Sequence, residues 1–168
     1  MRKDLLLSPW IVRHTGTELR DDFPESIFFT GNGRMGVRGY LPCGREALPV
    51  KTGLYVAGIF GRIKPGITDF VNLPTPFMEE IAIDGGRAAV ASPVERELDM
   101  RSALLTMGYC LRAKGKAVRV EHQRFFPKER TGLCLQRTKI TALADMQLSL
   151  FSGIMTGCCN SPIPDDQT

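Results

Sequence analysis

The residues with the clearest chemical pattern are the glycines of the segment "GNGRMG". Gly31, Gly33 and Gly36 form G-x-G-x-x-G, the spacing of a loop that brings backbone N–H groups close to a dinucleotide pyrophosphate. That site requires the third glycine to open a helix, because the phosphate rests at the helix N-terminus. Here "VRGYLPCG" follows, and its glycines and proline exclude a helix. The acidic residue expected about 20 positions on is also missing. We therefore predict that no dinucleotide binds.

The same glycines can instead let the chain turn sharply and lie close to another surface. Asn32 tolerates a left-handed backbone, and Arg34 and Arg38 would project from the tight structure. Two interpretations follow. Either the arginines of a strand–turn–strand face water, or a rigid loop holds Asn32 or an arginine toward a polar ligand or a partner domain.

Few residues of this chain are candidates for acid–base catalysis. Its two histidines are His14 and His122, and a mutarotase-type reaction needs a histidine and a carboxylate on one sugar. Glu121 is adjacent to His122, and neighbours on a strand point to opposite faces. Because His122 alternates with Val118 and Val120, we predict a half-buried structural histidine.

The cysteines indicate neither a disulfide framework nor a metal site. An odd count without regular spacing argues against paired bridges, and no histidine stands at zinc spacing from the vicinal pair at the C-terminal end. We expect reduced thiols packed as small apolar side chains, no metal, no cofactor, and a reducing cytoplasmic location. The five are Cys43, Cys110, Cys134, Cys158 and Cys159.

The composition is that of one folded domain. The chain has 168 residues, of which 43% are hydrophobic and 24% charged, enough for a real core. The net charge of +4 is spread along the sequence, and no basic block with interleaved aromatics predicts nucleic-acid binding. No apolar window has the length of a membrane span.

Strand signals occur throughout the chain, whereas long helical apolar stripes are missing. "SIFFT" and "GLYVAGIFG" each predict a strand, as do "LCLQRTKIT" and "MQLSLFSGI". Asp84-Gly85 and Lys114-Gly115 predict the turns of two hairpins. Short strands repeated about every 8–12 residues are typical of a sandwich or barrel. The sequence therefore predicts an all-β domain.

Several segments, taken in order, resemble the N-terminal domain of glycoside hydrolase family 65, the family of the maltose, trehalose and kojibiose phosphorylases and their hydrolase relatives. The longest is "ESIFFTGNGRMGVRGYLPCG", which is similar to an E-x-x-F-x-x-G-N-G-x-x-G-x-R-G opening. "GLYVAGIFG", "TDFVNLPTP", "RELDMRSALL", "VRVEHQRFFP" and "SGIMTGCCNSPIP" follow in the family's order. Together they span nearly the whole chain.

The resemblance implies an antiparallel super-sandwich of the galactose-mutarotase-like kind, a single domain over residues 1–168 that is incomplete at its C-terminal end. It implies the N-terminal portion of a larger inverting phosphorylase or hydrolase for α-linked disaccharides. In that family a separate (α/α)6 barrel carries the general-acid glutamate and the site for the co-substrate phosphate. Inverting chemistry needs two groups on opposite sides of the sugar, and no segment here supplies them. We expect the chain alone to be inactive.

The resemblance also implies roles for particular residues. Asn32, Arg34 and Arg38 are expected to approach the sugar or the barrel, with Arg124 as a further candidate. Such a domain would support dimerisation and the rim of the active site, and an uncovered barrel-facing surface predicts a homodimer.

Two alternatives remain open, a stand-alone mutarotase-like enzyme and a carbohydrate-binding module. Such modules present an aromatic platform, whereas we expect Phe77, Phe125 and Trp10 in the core or at a domain interface.

Overall fold

The computed structural model describes residues 5–17, 22–43, 53–156 and 158. This part of the chain forms fifteen strands and one short helix. In chain order they are β1 Leu5–Leu7, β2 Ile11–Gly16, α1 Asp22–Ile27, β3 Thr30–Gly31, β4 Met35–Val37, β5 Leu54–Val56, β6 Phe60–Lys64, β7 Ile67–Phe70, β8 Thr75–Ile83, β9 Gly86–Arg87, β10 Ala89–Val90, β11 Val94–Asp99, β12 Leu104–Ala113, β13 Lys116–Phe125, β14 Leu135–Ala142 and β15 Leu148–Met155. The predicted all-β class is confirmed.

The largest sheet is antiparallel and has the order β1-β2-β11-β12-β13-β14, with β10 also paired to β12. Strands β11 to β14 follow one another as a meander, while β2 pairs with β11 from far away in the sequence. The predicted hairpin turn between β12 and β13 is confirmed. Lys114 and Gly115 there have φ angles of 50° and 74°, the left-handed pair that suits the strand twist.

The opposite layer is a three-stranded sheet of order β15-β8-β9. Along β8 buried and less buried residues alternate strictly, so one face of the strand lies on the large sheet. The predicted turn at Asp84-Gly85 is confirmed, with φ angles of 47° and 74°. Between the layers lies the main core, which contains Val12, Phe28, Leu41, Cys43, Ile81, Ile83, Ala88, Val94, Leu105, Met107, Tyr109, Leu111, Val118 and Val120.

Two small sheets form one end of the molecule. One has the order β3-β4-β5 and the other consists of β6 and β7. A second buried cluster joins this end to the sandwich, namely Val37, Tyr40, Phe77 and Phe126. The glycine segment lies within this end, on β3 and β4.

Two predicted strands were wrong in detail. The segment "SIFFT" begins inside α1, and its only strand residue in the described chain is Thr30. Pro24 is compatible with this helix, since proline is tolerated in a first turn, and its carbonyl accepts a hydrogen bond from Phe28 N at 3.0 Å. "GLYVAGIFG" is two strands, because Gly58 turns the chain with a φ of 87°.

The three large aromatic side chains differ in exposure. Phe77 is buried in the core, whereas Phe125 and Trp10 are 38% and 51% exposed, and for these two the domain interface stays a prediction. Cys43 is buried, while Cys110, Cys134 and Cys158 are half-buried free thiols; Cys159 lies outside the described residues. No helix in the described ranges is long and apolar enough to cross a lipid bilayer.

Candidate functional site

The glycine segment forms a tight β3–β4 hairpin. Gly31 pairs with Gly36 across the two strands, and Asn32 N donates to Met35 O at 3.0 Å. The Asn32 side-chain oxygen accepts from Arg34 N at 3.2 Å and from Met35 N at 3.1 Å. The left-handed residue is Gly33, with a φ of 87°, and not Asn32. The asparagine side chain closes the turn by bonding its own backbone.

Asn32 also anchors this hairpin to the rest of the fold. Its Nδ2 donates to Pro127 O at 3.0 Å and to Thr131 O at 3.3 Å, both in the segment after β13. Every side-chain polar atom of Asn32 is therefore engaged by the backbone. In this structure the side chain of Asn32 holds the loop against the segment after β13.

A pocket of about 520 Å³ opens beside the hairpin; we call it the glycine-loop pocket. Its aromatic walls are Phe29, Tyr55 and Phe70, and its floor is the loop itself. Tyr55 lies opposite Gly36 in the β4–β5 register and makes an edge-on contact with Phe70, with ring centroids 6.1 Å apart.

Gly36 is needed so that the Phe29 ring can lie across the strand. A Cβ at position 36 would stand 2.4 Å from Phe29 Cζ and 3.1 Å from Thr30 O. Only glycine leaves room for the ring at this distance. The third glycine of the motif therefore serves an aromatic side chain, and not the helix that a nucleotide site requires.

Arg34 is the predicted site residue that lines the pocket. Its side chain is exposed, and its carbonyl accepts from Ala57 N at 2.7 Å, which ties the loop to the turn after β5. Arg38 lies deeper, with 12% of its side chain exposed. It donates to Ser26 Oγ at 3.1 Å and lies 3.9 Å from Glu25 Oε2.

Arg124 is fully buried, on the same face of β13 as His122. Its guanidinium lies over the rings of Tyr40 and Phe77, at 4.9 and 4.4 Å from their centroids. It donates to Gln136 Oε1 at 3.0 and 3.2 Å and to Arg38 O at 3.1 Å. Burial lowers the pKa of this guanidinium. The loop and Arg124 are thus linked through the backbone of Arg38.

His122 lies at the centre of a buried hydrogen-bonded chain and is completely, not half, buried. Thr138 Oγ1 donates to Glu79 Oε1 at 2.6 Å, so His122 Nδ1 must be the donor in its 3.0 Å contact with Thr138 Oγ1. Nε2 is then the acceptor from Tyr109 Oη at 2.8 Å, because a neutral imidazole carries one N–H. Cys43 Sγ completes the chain, 2.9 Å from Tyr109 Oη.

The ionisation of these groups agrees with this arrangement. Burial, followed by the positive charge of Arg124, lowers the pKa of His122 to about 3, so the ring is neutral at pH 7. Burial raises the pKa of the Cys43 thiol to about 12 and that of Tyr109 well above its usual value. The chain is one of neutral groups that ends at a carboxylate.

Cys43, Glu79 and His122 are also the one group of the described residues with metal-ligand spacing, their donor atoms lying within 4.8 Å of one another. Both ring nitrogens of His122 are already in hydrogen bonds, and the neutral thiol would have to lose its proton to bind a metal. The hydrogen bonds account for this group as part of the core.

The geometry excludes the mutarotase-like interpretation for His122. The ring has no exposed surface, and Glu121 points to the opposite face of β13, as predicted. None of the described residues that line the glycine-loop pocket is a carboxylate or a histidine. These residues therefore offer no acid–base pair.

The aromatic walls were missed from the sequence. Phe29 follows the end of α1, where Phe28 N donates to Pro24 O and Phe29 N to Ser26 O, so the alternation of a strand does not apply to it. Tyr55 and Phe70 come from two other strands, and no local sequence pattern marks them as pocket residues. The burial of Arg124 does have a sequence signal, because this residue continues the buried alternation of Val118, Val120 and His122.

The family profile of the glycosyl hydrolase family 65 N-terminal domain matches residues 15–167. The chain belongs to this family. The predicted resemblance is confirmed, and the match covers the hairpin, the pocket and the buried chain alike.

Relatives of this family 65 domain are much longer than it is. Trehalose 6-phosphate phosphorylase of Lactococcus lactis subsp. lactis (strain IL1403) is 32% identical over 121 residues, which are 63% of this chain and 15% of that enzyme. An uncharacterized glycosyl hydrolase of Mycobacterium tuberculosis (strain CDC 1551 / Oshkosh) is 30% identical over 146 residues, 79% of this chain and 11% of that protein. The chain thus spans a small part of its curated relatives.

A solved structure confirms the architecture. It is assigned as a kojibiose phosphorylase from the human microbiome and superposes with a TM-score of 0.76 at 18% identity. The match covers 88% of this chain and 22% of that one. At this identity the likeness establishes the fold alone.

Proposed function

We propose that this chain is the non-catalytic N-terminal β-sandwich domain of a family 65 glycoside phosphorylase or hydrolase that acts on α-linked disaccharides. The observation that carries the proposal is the family match over residues 15–167, in a chain that corresponds to 11–15% of its curated relatives. The relatives named as phosphorylases require phosphate as a co-substrate. In the parent enzyme, phosphate and the sugar would meet at an (α/α)6 barrel.

The domain's part in that enzyme would be structural and positional. The glycine hairpin, with Arg34 exposed and with Asn32, Arg38 and Arg124 holding it from behind, would contribute to the rim of the active site or contact the barrel. Exposed apolar side chains on β15 support a second role, the formation of a homodimer. The free thiols of the described chain favour a reducing, cytoplasmic location.

The test uses a chimera and the isolated chain in parallel. In the chimera this chain replaces the matching N-terminal region of the Lactococcus lactis enzyme, and phosphorolysis of trehalose 6-phosphate is measured. We expect activity from the chimera and none from the purified chain with trehalose, kojibiose or maltose, with or without phosphate. Turnover of any of these sugars by the isolated chain would overturn the proposal, as would a folded chimera without activity.

A further inference from the structure

We propose that the glycine-loop pocket is a sugar subsite, which binds one hexopyranose ring of an α-linked disaccharide between its aromatic walls. Arg34 would donate hydrogen bonds to the hydroxyl groups of that ring. This inference rests on the proposed function for the class of ligand. The location, the stacking and the residues come from the pocket itself.

The walls have the chemistry that a sugar ring needs. Phe29 and Phe70 are 42% and 51% exposed, an unusual exposure for large apolar rings grouped on one surface. A pyranose presents its C–H groups on its two broad faces and its hydroxyls around the edge. Flat aromatic rings with polar groups beside them match both parts. The volume of about 520 Å³ lies in the usual range of small-molecule sites.

The pocket is also held rigid, which lowers the entropy that a weakly binding ligand must overcome. The Phe29 ring rests on the bare backbone of Gly36, and Asn32 fixes the turn through four hydrogen bonds. The bond from Ala57 N to Arg34 O joins the loop to the opposite rim. A ligand would meet walls that are already in place.

Arg34 supplies the polar edge. A guanidinium has five N–H donors and no acceptor, so it suits the oxygen atoms of sugar hydroxyls. Among the described lining residues no carboxylate is present to pair with it. Arg38 and Arg124, in contrast, already donate to Ser26, Gln136 and a backbone carbonyl.

The experiment is a titration of the 15N-labelled protein with trehalose and kojibiose, followed by amide shifts. We expect saturable shifts centred on Gly31, Gly33 and Gly36, and at least a tenfold increase in Kd for Arg34→Ala and for Phe70→Ala. The matched controls Arg137→Ala and Phe125→Ala remove exposed side chains of the same types outside the pocket. They should leave Kd within twofold of the unsubstituted protein.

Several results would overturn the subsite. These are no shift with either sugar, shifts elsewhere on the protein, or equal effects of the pocket variants and their controls. Shifts with inorganic phosphate but not with sugar would identify an anion site instead. Arg34→Ala removes an exposed side chain and keeps the test valid if Phe70→Ala does not fold. An active chimera without sugar shifts refutes the subsite alone, whereas an inactive chimera with shifts refutes the proposed function.

Discussion

Arg124 shows how a charged residue can be the centre of a core. Its guanidinium is stacked on two rings and hydrogen-bonded to Gln136, and Gln136 Nε2 donates to Glu79 Oε1 at 2.9 Å. The buried positive charge is therefore linked to a buried negative one through a neutral amide. Removing either end leaves the other uncompensated, which is costly inside a protein.

We expect Arg124→Ala to lower the free energy of unfolding by about 3–5 kcal/mol. Arg124→Lys should have a free energy of unfolding between those of the unsubstituted protein and Arg124→Ala, because an ammonium keeps the charge but cannot reproduce the planar pair of bonds to Gln136. Urea denaturation measures both. The control Arg137→Ala removes an exposed arginine from the adjacent strand and should change stability by less than about 0.5 kcal/mol. Equal stabilities for Arg124→Ala and the control would refute this account of the core.

His122 predicts an early loss of stability in mild acid. Its pKa is lowered from 6.5 to about 3 in the folded protein, so the unfolded state binds a proton first as the pH falls. The contribution of His122 to the free energy of unfolding is complete above about pH 6.5. It decreases by about 1.4 kcal/mol per pH unit as the pH falls toward 3. Urea unfolding at steps from pH 7.5 to 5.0 should show this slope.

In His122→Gln the slope between pH 6.5 and 5.0 should become shallower by about 1 kcal/mol per unit. Carboxylates titrate mainly below this window, and His14 is present in both proteins and cancels in the comparison. Identical slopes would mean that His122 is not neutral and buried as described.

In the connection after β4, Gly39 packs closely against the backbone of Phe28. A Cβ there would lie 2.5 Å from Phe28 Cβ and 2.9 Å from Phe28 O, and backbone atoms cannot move aside as a ring can. Gly39 N also donates to Glu25 O at 2.8 Å, which fixes the approach of the chain to α1.

Gly39→Ala should therefore destabilise the protein by about 2–3 kcal/mol. Gly132→Ala is its control, since a Cβ at position 132 meets no atom within 4 Å and the backbone there is not left-handed. Thermal unfolding of the two variants gives the comparison. A Gly39→Ala variant as stable as Gly132→Ala would show that the chain can separate from α1 at little cost.

Local patterns were enough to predict the hairpins but not the small end of the fold. Lys114-Gly115 and Asp84-Gly85 are turn pairs flanked by alternating strands, and both turns formed as predicted. Ser26 and Ile27, predicted in a strand, lie in α1, which has Pro24 in its first turn, a position where proline is tolerated. The pocket joins rings from β5, β7 and the segment before β3, and such long-range contacts leave no local pattern.

Taken as one body, the sandwich has a core-side surface that is uncovered in the described chain. Leu148 and Leu150 lie directly opposite Ile83 and Ile81 in the β15–β8 register, so all four point to the same face. The isoleucines are buried, whereas the leucines are 39% and 56% exposed. The large sheet therefore covers the core face of β8 but leaves the same face of β15 exposed.

Self-association through this face is the expected outcome for the isolated chain. In sedimentation velocity we expect a concentration-dependent dimer, and Leu150→Gln should raise the dimer Kd by about tenfold or more, since one buried leucine contributes about 1.5–3 kcal/mol. Leu6→Gln, at a leucine of β1 that is also more than half exposed, is the control. A monodisperse monomer at high concentration, or equal effects of both substitutions, would contradict this.

The pairing of β2 with β11 affects how the chain is made. Gly16 is the partner of Val94, so β2 leaves the ribosome long before the strand that will cover its hydrogen-bonding edge. The β11–β14 meander is local and can close quickly, while the closing of this long loop is slow. During synthesis the amino-terminal segment is thus an open edge that can pair with other nascent chains. Production of this domain should benefit from low temperature and from chaperones, which would bind β2 while its edge is open.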